Sequence, residues 1–299
     1  VFHSPEEGHG IDNGVVVAGY VVMRVAMLAQ WLRLAAQSPE HRSAALTYAG
    51  TIAVAQVGWI VVAVVHMQLV PTIVASLALY VIELAGPFLA ERRHPTPWHP
   101  HHIAERYGLL AIIALGEGVL GTVAAVQPVI AEQGWSMDAI VLVAAGVALT
   151  FGMWWAYFAI PFGDLLHRDR ARGFAFGYLH ILVFAGIAAV GAGLHVGAYV
   201  VEGEASVGFS EAARAVAIPV GIYLVALLGI ADVLHGRARP AHLALLVGAV
   251  AVLAVAVLLS DTGSPFALDI ALVAAAPWIV VVGLEALGRR QLAAQPALD

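Results

Sequence analysis

Residues 103–126 read IAERYGLLAIIALGEGVLGTVAAV. Glu105 and Arg106 open the run and Glu117 sits inside it; nearly all the rest is alanine, glycine and aliphatic side chain. At about 1.5 Å per residue, a helix of about 20 such residues crosses a hydrocarbon core about 30 Å thick. The run therefore predicts a transmembrane helix. Comparable runs fall at 14–36, 43–65, 69–90, 137–160, 171–198, 213–234, 241–260 and 266–288. The fold expected is all-α, a polytopic integral membrane helix bundle with about nine transmembrane helices over residues 14–288.

The whole chain has the same character. Of its 299 residues, 61% are hydrophobic and 11% charged, against about 25% charged in soluble domains. Mean hydropathy is +0.89. Such a chain uses lipid as its solvent, which excludes a soluble enzyme, a disordered chain and a fibrous one. Lysine is absent, the net charge is -6 and the arginines are scattered, so the concentrated basic face that nucleic acid requires is missing. With no cysteine, disulfides, thiolate catalysis and cysteine-ligated metals are excluded.

Arginine placement gives an orientation, because positive charge stays on the cytoplasmic side. Arg33 and Arg42 flank the first connection, Arg92 and Arg93 the third, Arg168, Arg170 and Arg172 the fifth, Arg237 and Arg239 the seventh, and Arg289 and Arg290 the tail. The even connections carry Glu132, then Glu202, Glu204 and Glu211, then Asp261, with Arg214 the one basic exception. Residues 1–13 are thus expected outside, as an extracellular loop or a truncated N-terminus, and residues 289–299 as a cytoplasmic tail. Trp31, Trp59, Trp135, Trp154 and Trp155 fall near helix ends, where an indole favours the membrane interface; Trp278 does not.

A charge near the bilayer centre costs about 2.5 to 3.5 kcal/mol on insertion scales and needs a partner. Counted from the outer ends of their helices, Arg24 and Glu117 reach nearly equal depth and are expected to form an ion pair. Glu83 and His180 form a second level nearer the cytoplasm, with Gln30 and Gln56 supporting both levels. At about 100° per residue, His102, Arg106, Leu110, Ile113, Glu117 and Gly121 share one stripe of the fourth span. Gly173, Gly177, His180, Phe184 and Gly191 share a face of the sixth, where Gly-x-x-x-Gly admits a close neighbour. Tyr20, Arg24, Met27 and Trp31 do so on the first, and Ser76, Tyr80, Glu83 and Pro87 on the third. These stripes imply a common polar interior, a pathway in which a desolvated carboxylate loads and releases a proton. The plainer reading, equally open, is an ion pair that fixes packing and a histidine hydrogen-bonded between helices.

The connection at 94–105 reads HPTPWHPHHIAE. His102 and Glu105, three apart on a helix, can present two ligands to one divalent metal or hold a lipid headgroup. The prolines at 95, 97 and 100 favour an extended loop with solvated histidines. His-Glu-x-x-His, Gly-x-x-x-x-Gly-Lys and Gly-x-Ser-x-Gly are all absent. Asp164 with His167, and Asp232 with His235, read as ordinary interface residues. No cofactor is expected.

An internal echo is visible too. Glu83 and Glu285 each follow a tyrosine, Tyr20 or Tyr223, by 62 or 63 residues, and each precedes an arginine pair. Spans one to three then repeat as spans seven to nine in parallel orientation, and three further N-terminal helices would complete a 6+6 bundle.

The run His102 to Glu117, HIAERYGLLAIIALGE, resembles the hallmark His-x-x-Glu-Arg-Phe-Gly-Leu-(x)3-Ile-x-Leu-Gly-Glu segment of the bacterial low temperature requirement A (LtrA) family. Tyr20 to Arg24, Glu83 with Pro87, Trp154-Trp155-x-Tyr157 and Gly177-Tyr178-Leu179-His180 extend the resemblance over the chain. Tyr107 stands where the family has phenylalanine. The family's opening Glu-Leu-Phe-Phe-Asp-Leu and Arg-Phe-Asp segments have no counterpart, which fits the three helices expected to be missing. The family name records a growth phenotype in the cold and implies no established activity. The resemblance implies a bacterial cytoplasmic membrane and a functional motif at His102, Glu105, Arg106 and Glu117.

The function expected is a secondary transporter or an ion- or proton-conducting protein. Glu117 is its proton- or cation-binding carboxylate, Arg24 the counter-ion, Glu83 and His180 relay groups, and Arg106 a pathway residue. Two alternatives stand beside it: a membrane-embedded enzyme acting on lipid or isoprenoid at headgroup level, and a non-catalytic scaffold or sensor. The partners implied are the bilayer and a small solute or ion, without nucleic acid; assembly as a homo-oligomer is left open.

Overall fold

The structure, a computed structural model, describes residues 14–65, 67–92 and 95–293, without the side chains of 133 and 290–293. The expected loop at 1–13, Arg93, His94 and the end of the tail lie outside the described residues. Ten helices follow one another. They are α1 (Gly14–Gln37), α2 (Arg42–Val65), α3 (Leu69–Glu91), α4 (Pro100–Gln133), α5 (Met137–Phe158), α6 (Phe162–Arg168), α7 (Gly173–Val201), α8 (Phe209–His235), α9 (Pro240–Ser260) and α10 (Phe266–Ala293). No strand occurs among the described residues. Counting the short α6 with α5, nine helical segments among them are long and apolar enough to cross a membrane.

Local chemistry sets the helix ends. Pro100 opens α4 at a position where its missing N–H costs nothing. That helix runs on past Pro128 until Gly134, at φ 69°, turns the chain and donates its N–H to Ile130 O at 2.8 Å. The hydroxyl of Ser136 caps α5 by accepting from the Ala139 N–H at 3.2 Å. The fifth apolar run, expected to reach residue 160, ends as a helix at Phe158, and the short α6 follows it beyond Pro161, whose nitrogen donates no helical hydrogen bond.

Chain contacts cluster into two compact units, Val1–Trp98 and His99–Asp299. In the first, α2 packs against both α1 and α3 around Val17, Trp59, Val62 and Leu79. Trp59, expected at the membrane interface, is buried in this core, because the inward stripe of α2 runs through Ile52, Gln56, Trp59 and Val62. In the second unit the main pairs are α7 with α8, α4 with α7, and α5 with α10. Backbones touch where glycine permits it. A Cβ on Gly193 would run into the main chain at Ala215, and one on Gly191 would lie 2.8 Å from the carbonyl oxygen of Glu117. Trp278, which did not fit an interfacial belt, instead donates to Ala148 O across the α5–α10 contact at 2.9 Å. Ile181, Leu182, Ile218, Val225, Leu243 and Val247 are exposed, an apolar surface that water would not tolerate and lipid does.

Candidate functional site

The first unit holds a polar layer whose level follows from helix register. Between α1 and α2, the Tyr20 ring meets Trp59 edge-on at 6.1 Å, and Trp31 stacks on Tyr48 at 4.0 Å. Between α2 and α3, Gly58 faces Leu79, and Gly86 faces Thr51. Stepping along these antiparallel pairs brings Arg24, Gln56 and Glu83 to one level. The Tyr20 hydroxyl donates to Glu83 Oε2 at 2.5 Å. The Arg24 guanidinium reaches the same oxygen at 3.2 Å and also donates to the Tyr20 hydroxyl. It lies 4.7 Å from the centre of the Tyr20 ring, which adds a cation–π attraction.

Arg24 therefore takes Glu83 as its carboxylate, where the sequence reading had set it against Glu117. The reason is register. Counting residues from helix ends assumes that all helices end at one depth, yet α3 stops about one turn short of the level at which α1 stops. The side chains of the pair are 20% and 12% exposed, so each charge depends chiefly on the other.

The layer is only partly satisfied. Arg24 Nε, Glu83 Oε1, both amide atoms of Gln56 and Trp59 Nε1 are buried without a hydrogen-bond partner among the described residues. Beside them is a cavity of about 130 Å³, lined by Arg24, Glu83, Trp31, Tyr48, Thr51 and Pro87 among others. Its far wall is fixed in place. The Tyr48 hydroxyl donates to Glu91 Oε1 at 2.9 Å, and Glu91 in turn accepts the Thr96 N–H at 2.5 Å and its hydroxyl at 2.6 Å. Sequence reasoning missed Tyr48 and Glu91; the clue available to it was an acidic group one turn from the tyrosine level on a neighbouring span.

The remaining expected residues belong to the second unit. Glu117 lies midway along α4 on an exposed stripe with His102, Arg106, Leu110 and Ile113, whereas Gly121 is buried against α7. Its main chain and Cγ pack on Gly191, and its carboxylate makes no hydrogen bond or ion pair among the described residues. His180 is fully buried. Its Nδ1 sits 2.7 Å from the Phe176 carbonyl, which can only accept, so Nδ1 carries the proton. Nε2 is then the acceptor for the Tyr157 hydroxyl at 3.0 Å. Tyr107, Phe162, Phe176 and Phe184 enclose the ring with centroids at 4.2 to 5.6 Å. With both nitrogens engaged in an aromatic cage, this histidine braces α5 against α7.

His102 faces another histidine rather than Glu105. The His99 ring lies 4.8 Å from that of His102 and 5.7 Å from that of His101, which is 5.9 Å from His167. Loss of solvent and the nearby His102, His101, Arg170 and His167 lower the pKa of His99 below the ordinary imidazole value. Among the described residues no group of three or more His, Cys, Asp or Glu side chains is arranged to hold a metal, so the His102–Glu105 pair gathers no third ligand there. Asp232, read with His235 as an ordinary interface residue, is bonded to His242 Nδ1 at 2.6 Å. The counterparts Tyr223 and Glu285 do not bond each other among the described residues. Tyr223 donates to Met153 O at 2.6 Å, while Glu285 accepts from Trp155 Nε1 at 3.2 Å.

Comparison with known families matches the chain to the family described as Bacterial low temperature requirement A protein (LtrA), over residues 2–277. No curated protein and no solved structure matches. The match runs through the α1–α3 unit that holds the polar layer and on from α4 into the first part of α10. The chain belongs to the bacterial low temperature requirement A family and is a multi-pass helical membrane protein.

Proposed function

We propose that the protein is a secondary transporter, or an ion- or proton-conducting protein, of a bacterial cytoplasmic membrane, and that Glu83 is its exchangeable carboxylate. One observation carries the reading: Glu83 offers Oε2 to Tyr20 and Arg24 and keeps Oε1 unpartnered among the described residues, inside a polar layer with a cavity at its side. A proton arriving at Oε1 cancels the carboxylate charge and releases Arg24 from its ion pair. The loaded and unloaded states then differ in a desolvated interaction between α1 and α3, as a coupled conformational change requires. Glu117, exposed on α4, is a second protonatable group of the pathway, and Arg106 and His102 flank its cytoplasmic mouth. The basic odd-numbered connections favour residues 289–299 in the cytoplasm.

The test is proton and monovalent-cation flux in proteoliposomes holding the full-length protein. Flux under a pH gradient or an imposed potential, lost in Glu83→Gln and reduced in Glu117→Gln, is the expected result. Absence of flux from folded wild-type protein, or undiminished flux in Glu83→Gln, overturns the proposal.

A second reading draws on the gathering of His99, His101, His102 and His167 at one end of the α4–α10 unit. Such a cluster suits an enzyme acting on a lipid or isoprenoid headgroup. Turnover of labelled lipid, lost in His102→Ala, would favour it over transport.

A further inference from the structure

The polar layer of the first unit is more selective than a proton site needs to be. Its unpartnered atoms are of both kinds. Arg24 Nε, Gln56 Nε2 and Trp59 Nε1 can only donate, and Glu83 Oε1 and Gln56 Oε1 accept. Gln56 is 9% exposed and Trp59 7% exposed, and they follow Ile52, a wall of the cavity, at successive turns of α2. Buried polar groups of this kind are satisfied in native proteins by water, an ion or a ligand.

Charge narrows the choice. Glu83 and Arg24 neutralise each other at 3.2 Å, so the layer has no net charge to offer. A cation would have to compete with Arg24 for the carboxylate, and an anion with Glu83 for the guanidinium. A hydrocarbon guest would leave every one of these groups unpaired. Size narrows it again. A cavity of about 130 Å³ is a little smaller than one of about 150 Å³ that takes a benzene ring, so it admits a solute of roughly four to six non-hydrogen atoms.

We propose that this layer binds a small solute without net charge that both donates and accepts hydrogen bonds, of the amide or urea class. This rests on the reading of the Glu83 layer as the transport site and names what the site takes. An amide N–H of such a solute faces Glu83 Oε1. Its carbonyl accepts from Arg24 Nε. Met27 and Ile52 supply the apolar part of the wall.

The experiment uses three probes of one shape and different charge: acetamide, acetate and acetamidinium. Equilibrium dialysis of radiolabelled acetamide against the full-length protein in detergent micelles measures binding, with the two ions as competitors. Saturable acetamide binding is expected, with both ions at least about tenfold weaker, the cost of one unsatisfied hydrogen bond to a charged group. Equal binding of all three probes, or no saturable acetamide binding, overturns the proposal. Proteoliposome flux separates this proposal from the one beneath it. Acetamide binding without any flux sustains the site and sinks the transport reading; Glu83-dependent proton flux without acetamide binding does the reverse.

Discussion

Tyr20 and Glu83 stand 63 positions apart and are joined by a hydrogen bond of 2.5 Å that ties α1 to α3. Around this bond the first unit arranges the partly buried ion pair of Arg24 with Glu83, and the bond fixes which carboxylate oxygen remains unpartnered among the described residues. Tyr223 and Glu285, at almost the same spacing, make no such bond and serve separate contacts.

If Arg24 and Glu83 depend on each other, removing either is worse than removing both. Arg24→Ala and Glu83→Ala are each expected to cost about 2–3 kcal/mol, near the lower end for breaking a buried pair because some exposure remains. Arg24→Leu with Glu83→Leu is expected to lie within about 1 kcal/mol of wild type. A double-mutant cycle on unfolding in mixed micelles checks this, and strictly additive losses would count against the pair.

The contact of α4 with α7 at Gly191 tolerates no side chain. A Cβ there would approach Glu117 Cγ to 2.6 Å, so Gly191→Val is expected to destabilise by about 2–3 kcal/mol. Gly116, whose added Cβ would meet nothing within 4 Å, is the control. Gly116→Ala is expected to gain up to about 1 kcal/mol through helix propensity.

For His180 the expected result is a fixed tautomer. Nitrogen NMR on labelled imidazole should find the proton on Nδ1 and an accepting Nε2. Tyr157→Phe should cost about 1 kcal/mol by leaving Nε2 unpaired, while leaving proton flux per folded molecule unchanged. A large loss of flux in that variant would restore His180 to the pathway.

His99 is expected to titrate below the ordinary imidazole value of 6.5. Its folded-state pKa is depressed, so its contribution to stability is complete above the unfolded pKa and is lost as the pH falls through the folded one. Replacing His102 or Arg170 by alanine should move the titration upward, since each positive neighbour removed makes protonation easier. A proton NMR titration of the ring resonances measures both effects.

Much of the architecture was legible in the chain because lipid imposes a simple demand. A segment of about 20 apolar residues must satisfy its backbone internally, so it becomes a helix whatever its neighbours are. The family was legible as well, in HIAERYGLLAIIALGE at 102–117. So were the members of the polar layer, since Arg24, Glu83 and Gln56 are costly residues for a membrane span and drew attention one by one.

Who meets whom was decided elsewhere. The sequence reading joined Arg24 to Glu117 by depth and treated Trp59 as interfacial; the folded unit joins Arg24 to Glu83 and buries Trp59 beneath Tyr20. Depth counted from a helix end is a property of one segment, whereas a contact depends on the register between two. That register is set by where side chains interlock, as Leu79 does over Gly58 and Thr51 over Gly86. Hydropathy specifies that each helix crosses the membrane and says nothing of how far it slides against the next. Only packing fixes that offset, and the offset determines which carboxylate Arg24 reaches.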